Sequence, residues 1–338
     1  MMPFEPFERR PTIAIGVSGG RDSLCLALLA HAWARAREGR VLALIVDHRL
    51  RPEAAAEAAS TAALLARHGI AAEILAWSEA KPATGLQEAA RAARYRLLFE
   101  ACRRHGIVHL LVAHQADDQA ETVAMRAKRG SGLDGLAGMA ALVEHRDGRL
   151  LRPLLSVPRA RLTTTLVEGG IDWIDDPSNA DPRFERARLR AGAVLPAAKP
   201  EPATARRVRE ARLAGIALET LDFDRPASVA VDQALFGRLP PGEGARLLGR
   251  IVQAVGGREY PTRRERLDRA AARLSRVDGP GKSGKGLDFT LSGCRLMLRK
   301  DPADRRLRWI VGPESGRKDE QIQGKPLLPA VFFACGAQ

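Results

Sequence analysis

Six residues, Ser18-Gly19-Gly20-Arg21-Asp22-Ser23, separate two apolar runs of different length. The first run, Ile13-Ala14-Ile15-Gly16-Val17, is short and reads as a buried strand. The second begins Leu24-Cys25-Leu26-Ala27-Leu28-Leu29 and reads as a helix. A strand that enters a helix through two glycines leaves a phosphate-sized gap at the helix N-terminus. Glycines let the backbone approach an anion, and the free N–H groups with the positive end of the helix dipole hold it. Ser18 and Ser23 add hydroxyl donors, and Asp22 can hold a magnesium ion that bridges phosphates. An ordinary capped turn would use the same residue types. The loop has no Walker lysine and no Gly-x-Gly-x-x-Gly spacing. Far downstream, Gly279-Pro280-Gly281-Lys282-Ser283-Gly284-Lys285-Gly286 contains Gly-Lys-Ser, but Arg276 stands where the first Walker glycine belongs. That stretch reads as a flexible basic loop.

The 338 residues suffice for two domains. No apolar run reaches a membrane span, and residues 1–11 lack the apolar core of a signal peptide. A cytoplasmic protein is expected. Cys25, Cys102, Cys294 and Cys335 are far apart and form no Cys-x-x-Cys pair, which argues against zinc or an iron–sulfur cluster. Reduced, buried thiols are expected. The net charge of +14 comes mostly from arginine. Arginine grips phosphate bidentately, so a polyanionic partner such as nucleic acid is expected. A merely solvated basic surface would give the same total.

Strand-like segments 12–17, 41–47, 71–77 and 107–113 alternate with helix-like segments 22–38, 52–68, 85–105 and 116–129. This alternation predicts an α/β fold with a doubly wound parallel sheet. Such sheets bind ligands beyond the carboxyl ends of their strands. The candidate site is therefore the 18–23 loop, Asp47-His48 and His114. From Arg149 the pattern changes. Residues 150–155 read as an edge strand ended by proline, and 157–169 as a helix. Prolines mark a linker at 196–202. Beyond it, 203–219, 243–256 and 261–276 look helical, and 287–291 with 294–299 form a hairpin pattern around Ser292-Gly293. A first domain over 1–196 and a smaller, mainly helical domain with a short β-hairpin over 197–338 are expected.

The hexamer resembles the pyrophosphatase loop, Ser-Gly-Gly-x-Asp-Ser, of the N-type ATP pyrophosphatases, or PP-loop enzymes. Further segments resemble one branch of them, the tRNA(Ile)-lysidine synthetase family. They are Val46-Asp47-His48-Arg49-Leu50-Arg51, Ala90-Arg91-Ala92-Ala93-Arg94-Tyr95 and, most diagnostic, His114-Gln115-Ala116-Asp117-Asp118-Gln119-Ala120-Glu121-Thr122. Arg129-Gly130-Ser131-Gly132, Gly135-Leu136-Ala137-Gly138-Met139 and Arg152-Pro153-Leu154-Leu155 continue the match. Trp173, Asp176-Pro177-Ser178-Asn179, the arginines 186, 188 and 190, and Leu195-Pro196 complete it. The order is consistent over about residues 11–196. One departure is Ala187, where the family commonly has asparagine between the arginines. After residue 200 the match is poor.

The resemblance implies an adenine nucleotide alpha hydrolase-like PP-loop domain and an ATP-dependent ligase that acts in tRNA modification. ATP adenylates the oxygen on carbon 2 of the wobble cytidine in a CAU-anticodon tRNA(Ile), with release of pyrophosphate. The ε-amine of free L-lysine then displaces AMP and gives lysidine. By resemblance, Ser18, Gly19, Gly20, Arg21, Asp22 and Ser23 bind ATP with Asp47 and His48, the adenine lying near the second strand end. Asp22 and Asp118 share metal (Mg2+) or proton duties. Arg94 and Arg188 contact phosphate or developing charge, and Glu121 with His114 receives the lysine. A homodimer remains open. A PP-loop tRNA thiolase would share ATP and tRNA but generally needs paired cysteines or a persulfide carrier. An amidotransferase-type synthetase would share only the loop. A non-catalytic nucleic-acid module would be burdened by acidic residues at 117–121.

Overall fold

Strand β1 (Thr12–Val17) is apolar on both faces and is buried on both, as a central parallel strand must be. The computed structural model describes residues 1, 4–128, 133–145, 147–174, 203–223, 225, 228–256, 262–276 and 287–314. It divides into two compact units, Met1–Ala203 and Thr204–Gln338. The expected boundary at 196/197 and linker, the arginines 186, 188 and 190, the 279–286 loop and Cys335 lie outside the described residues.

In the first unit β1 is followed by α1 (Arg21–Arg35), β2 (Arg40–Asp47), α2 (Ala54–Arg67), β3 (Ala71–Ala76) and α3 (Leu86–Arg104). Then come β4 (His109–Leu111), α4 (Ala116–Lys128), α5 (Leu133–Leu136), β5 (Leu142–His145), β6 (Gly148–Leu151) and α6 (Arg159–Glu168). The sheet order is β3-β2-β1-β4-β6-β5. All neighbours are parallel except β5 and β6. Alternate residues face opposite layers. Ile13, Ile15 and Val17 join Leu24, Leu65, Leu162 and Leu166 in one core. Ala14, Leu44, Leu110 and Val112 join Leu98, Phe99 and Cys102 of α3 in the other. Helices thus cover both faces. The strand order reverses between β1 and β4, which opens a crevice beyond their carboxyl ends.

The strand expected at 150–155 is β6, and it is not at the edge. It lies between β4 and β5. Pro153 falls past its last residue, so the proline costs no ladder bond. The edge belongs to β5, a short antiparallel strand that returns through Asp147-Gly148.

The second unit contains α7 (Ala203–Thr220), β7 (Leu221–Asp222), β8 (Val229–Asp232), α8 (Gln233–Gly237), α9 (Pro241–Gly256) and α10 (Arg264–Ser275). Strands β9 (Phe289–Leu291), β10 (Cys294–Lys300) and β11 (Leu307–Pro313) follow. The expected hairpin is β9–β10, turning through Ser292 and Gly293, both at positive φ. It belongs to a larger five-stranded antiparallel sheet, β7-β8-β11-β10-β9. Helices still hold more of the described residues than strands. Trp309, fully buried, donates its indole N–H to Leu274 O at 3.3 Å and ties β11 to α10.

At the amino edge of the first sheet the chain start is strapped down. Arg149 Nε donates to His109 Nδ1 at 2.8 Å, and another Arg149 N–H donates to Pro6 O at 2.6 Å. His109 Nε2 therefore carries the ring proton and donates to Glu8 Oε2 at 2.8 Å. Burial holds His109 below its usual range; Glu8 opposes that and Arg149 adds to it. Protonation at Nδ1 would break the Arg149 bond. The stability from this network is present above the unfolded histidine value of about 6.5 and is lost as pH falls below it. Wild-type protein should therefore lose more thermal midpoint between pH 7.5 and 5.5 than His109→Gln, by a difference on the order of 2 °C. Scanning calorimetry at the two pH values measures this.

Candidate active site at the carboxyl edge of the sheet

The loop after β1 is shaped by its own serines. Ser18 N–H donates to Ser23 Oγ at 3.1 Å, and Ser23 Oγ donates to Gly20 O at 2.9 Å. Gly20 takes the N-cap position of α1 without a side-chain cap, so the first helical N–H groups stay available to an anion. Gly19 sits at φ 81, and a Cβ there would lie 2.5 Å from Thr61 Oγ1. Ile174 N–H donates to Gly19 O at 3.2 Å, which brings the chain after α6 back over the loop.

Three helices begin at this crevice. Arg21 and Asp22 open α1, Ala116 opens α4 and Arg159 opens α6. Ala116 N–H donates to Val157 O at 3.0 Å, which fixes the start of α6 against the start of α4. Asp118 Oδ2 accepts from Gln115 N–H at 3.1 Å, the backward bond of a capping box at the start of α4. Arg159 Nε lies 3.4 Å from Asp22 Oδ2, and a second guanidinium nitrogen lies 3.7 Å from Asp118 Oδ1. Arg21 Nε stands 3.6 Å from Asp22 Oδ1. Burial lifts Asp22 above the usual carboxylate range against Arg159 and Arg21, and Asp118 adds to the lift.

Arginines form the floor. An Arg94 guanidinium nitrogen lies beside Gly16, 3.7 Å from where a Cβ would stand. Burial pulls Arg94 below its usual range, and Arg91 adds to this. Among the described residues Arg94 has no hydrogen bond or ion pair. Burial raises Tyr95, but Arg91, Arg152 and Arg94 together outweigh it and hold the phenol below its usual range. Arg152 Nε donates to His114 Nδ1 at 3.2 Å, which leaves the ring proton on Nε2.

At the end of β2 the Asp47 carboxylate holds its own turn, accepting from Arg49 N–H at 2.8 Å. His48 lies edge-on to Trp77, with its Nδ1 buried and without a hydrogen-bond partner among the described residues. Burial keeps His48 low, with Arg94 and Lys81 pushing the same way and Asp47 opposing. Glu121 is buried one turn beyond Asp118. Arg188 lies outside the described residues. Gly135–Met139 proves to be a brace for α4: Gln119 and Met139 exchange bonds of 2.9 and 2.7 Å, and Arg126 donates to the Gly135 and Gly138 carbonyls. Gln119 and Arg159 were not singled out from the sequence. Arg159 had a signal: a cation in the first turn of a helix opposes the dipole unless anions face it.

A family model described as the PP-loop domain matches residues 3–198. A tRNA(Ile)-lysidine synthase of Bradyrhizobium sp. strain BTAi1 is 41% identical over 88% of this chain and 90% of its own length. The chain belongs to this PP-loop family of tRNA(Ile)-lysidine synthases. A tRNA(Ile)-lysidine synthase of Methylobacterium nodulans is 44% identical over 85% of this chain and 87% of its own. One from Rhodopseudomonas palustris is 54% identical over 55% of each chain.

Gly19→Ala forces a Cβ onto Thr61 Oγ1 at a strained φ. The loop must shift to relieve it, so ATP affinity should fall by about tenfold or more. Calorimetric titration of the folded variant with ATP checks this.

Proposed function

We infer that this protein ligates L-lysine to carbon 2 of the wobble cytidine of CAU-anticodon tRNA(Ile), using ATP to form an adenylated-cytidine intermediate and releasing AMP and pyrophosphate. The observation that carries the reading is one crevice holding a glycine loop, two carboxylates and an arginine floor, in a chain that matches lysidine synthases over most of its length. No described helix is long and apolar enough to cross a membrane, in keeping with an enzyme that works beside tRNA in the cytoplasm.

The chemistry needs three electrostatic services. The departing pyrophosphate needs positive charge, which the α1 N-terminus and Arg21 supply. A magnesium ion fits the donor set as well. Such an ion takes one or two carboxylates beside phosphate oxygens, and Asp22 Oδ1 is buried with no hydrogen-bond partner among the described residues. Asp22 and Asp118 would hold it, and it would neutralise phosphate charge. Negative charge developing on the α-phosphate needs a cation, a role that suits the buried Arg94, with Arg188 assigned by sequence. His114, whose ring Arg152 orients, is assigned to the lysine beside Glu121. The lysine ammonium needs an anion and then a proton acceptor, and Glu121, buried one helical turn beyond Asp118, is assigned to both tasks. Adenine would lie toward His48 and Trp77.

The second unit is assigned to tRNA. Its arginines, including Arg263 and Arg305, suit the phosphate backbone. A thiolase reading has less support. Cys25, Cys102 and Cys294 are all buried, and burial pushes the Cys102 thiol up to about 12, away from the thiolate that sulfur transfer uses.

Labelled pyrophosphate should exchange into ATP only when CAU-anticodon tRNA(Ile) is present. Exchange driven by lysine without RNA would instead mark an aminoacyl-adenylate enzyme. Glu121→Gln keeps the shape but loses the charge that pairs an ammonium. It should leave this exchange near normal while raising the lysine KM by at least about tenfold, a loss of about 1.4 kcal/mol. Steady-state lysine titrations decide it; an unchanged lysine KM would remove Glu121 from the lysine site.

A further inference from the structure

Arg159 is the one described residue in ion-pair contact with both Asp22 and Asp118. Its bonds are loose. At 3.4 and 3.7 Å they are well beyond the 2.7–2.9 Å of a good charge-assisted hydrogen bond. Arg159 Nε and Asp22 Oδ1 are both buried without a hydrogen-bond partner among the described residues. A well-formed bidentate pair would satisfy those atoms, and this one leaves them without a hydrogen-bond partner. Its position at the head of α6 sets it against the helix dipole, a cost that only the facing carboxylates offset. The Ala116–Val157 backbone bond holds the start of α6, which carries Arg159, against the start of α4, which carries Asp118. Arg21 does not substitute for it: it touches Asp22 alone, and its guanidinium sits 5.8 Å from the Trp173 ring centroid.

We propose that Arg159 is a positioning residue that stands in for the divalent cation in the nucleotide-free protein, holding the Asp22–Asp118 pair together and keeping free metal off it. Metal and guanidinium compete for the same two carboxylates. The cation therefore enters with the nucleotide, whose phosphate oxygens add the further ligands that a pair of carboxylates lacks. Without nucleotide, two carboxylates whose charge a guanidinium already offsets in part offer less to a hydrated metal ion. The proposal rests on the ATP site assigned above and adds an order to its filling.

The test uses the full chain and Mn2+ as the probe, followed by electron paramagnetic resonance without nucleotide. Wild-type protein should bind Mn2+ weakly. Arg159→Gln should bind it at least tenfold more tightly, and Mn2+ should raise the thermal midpoint of this variant more than that of wild type. Arg159→Lys, which keeps the charge on a single point and cannot bridge two carboxylates, should fall between the two. It also decides the matter if Arg159→Gln does not fold. A variant in which Arg159 merely supports the fold would bind Mn2+ no better than wild type, and that result overturns the proposal. Titration of wild-type protein with ATP and Mg2+ runs alongside. Absent ATP binding there would count against the nucleotide site itself, whereas normal ATP binding with unchanged Mn2+ affinity in both variants would count against Arg159 alone.

Discussion

Two carboxylates held close together at a half-buried crevice need a countercharge, because desolvated like charges repel and each is costly to bury alone. Much of the first unit follows from that requirement at Asp22 and Asp118. Each is carried in the first turn of a helix, where the dipole favours a negative charge. The helices leave adjacent strands, β1 and β4, at the point where the sheet order reverses. α6 then delivers Arg159 between them, pinned by the Ala116–Val157 bond. Even so, burial outweighs the neighbouring arginines at Asp22. The site is built to accept more positive charge, which suits a cation arriving with phosphates.

The same crevice is basic below and acidic above. The Arg94 guanidinium lies against Gly16, and three arginines act on the Tyr95 phenol. A nucleotide needs both features: cations for its phosphates, and carboxylates for the metal and for an incoming amine. Arg91 and Arg94 are carried on α3, and Asp22 and Asp118 on α1 and α4. Arg94 has no ion pair among the described residues.

Continuous apolar runs made the parallel sheet legible. β1 spans Thr12–Val17 as its composition demands, and the helix starts at 21, 86 and 116 fall within a residue of expectation. Legibility failed where partners are remote. Nothing local in Leu142–His145 says that it takes the edge and moves β6 inward. β11 is interrupted by Arg308 and pairs with β8 and β10 from opposite sides, so the five-stranded sheet could not be read from the hairpin alone. In the site, residues on helix starts were legible because the loop and the His114–Thr122 segment carry them. Asp47 was less so: its carboxylate is spent on the Arg49 turn, a local bond that an Asp-x-Arg sequence does not announce. Arg159 was hidden inside an unremarkable helix, and only its sign against the dipole gave it away.

The central claim is that this crevice joins lysine to a tRNA base. Its most direct test is mass spectrometry of nucleosides from CAU-anticodon tRNA(Ile) incubated with the protein, ATP and isotopically labelled lysine. The account predicts that the wobble cytidine is lost and that the label appears in a nucleoside with the mass of lysidine, dependent on ATP. Label found only as an alkali-labile ester at the tRNA 3′ end, or an unaltered cytidine with ATP hydrolysed, would contradict it.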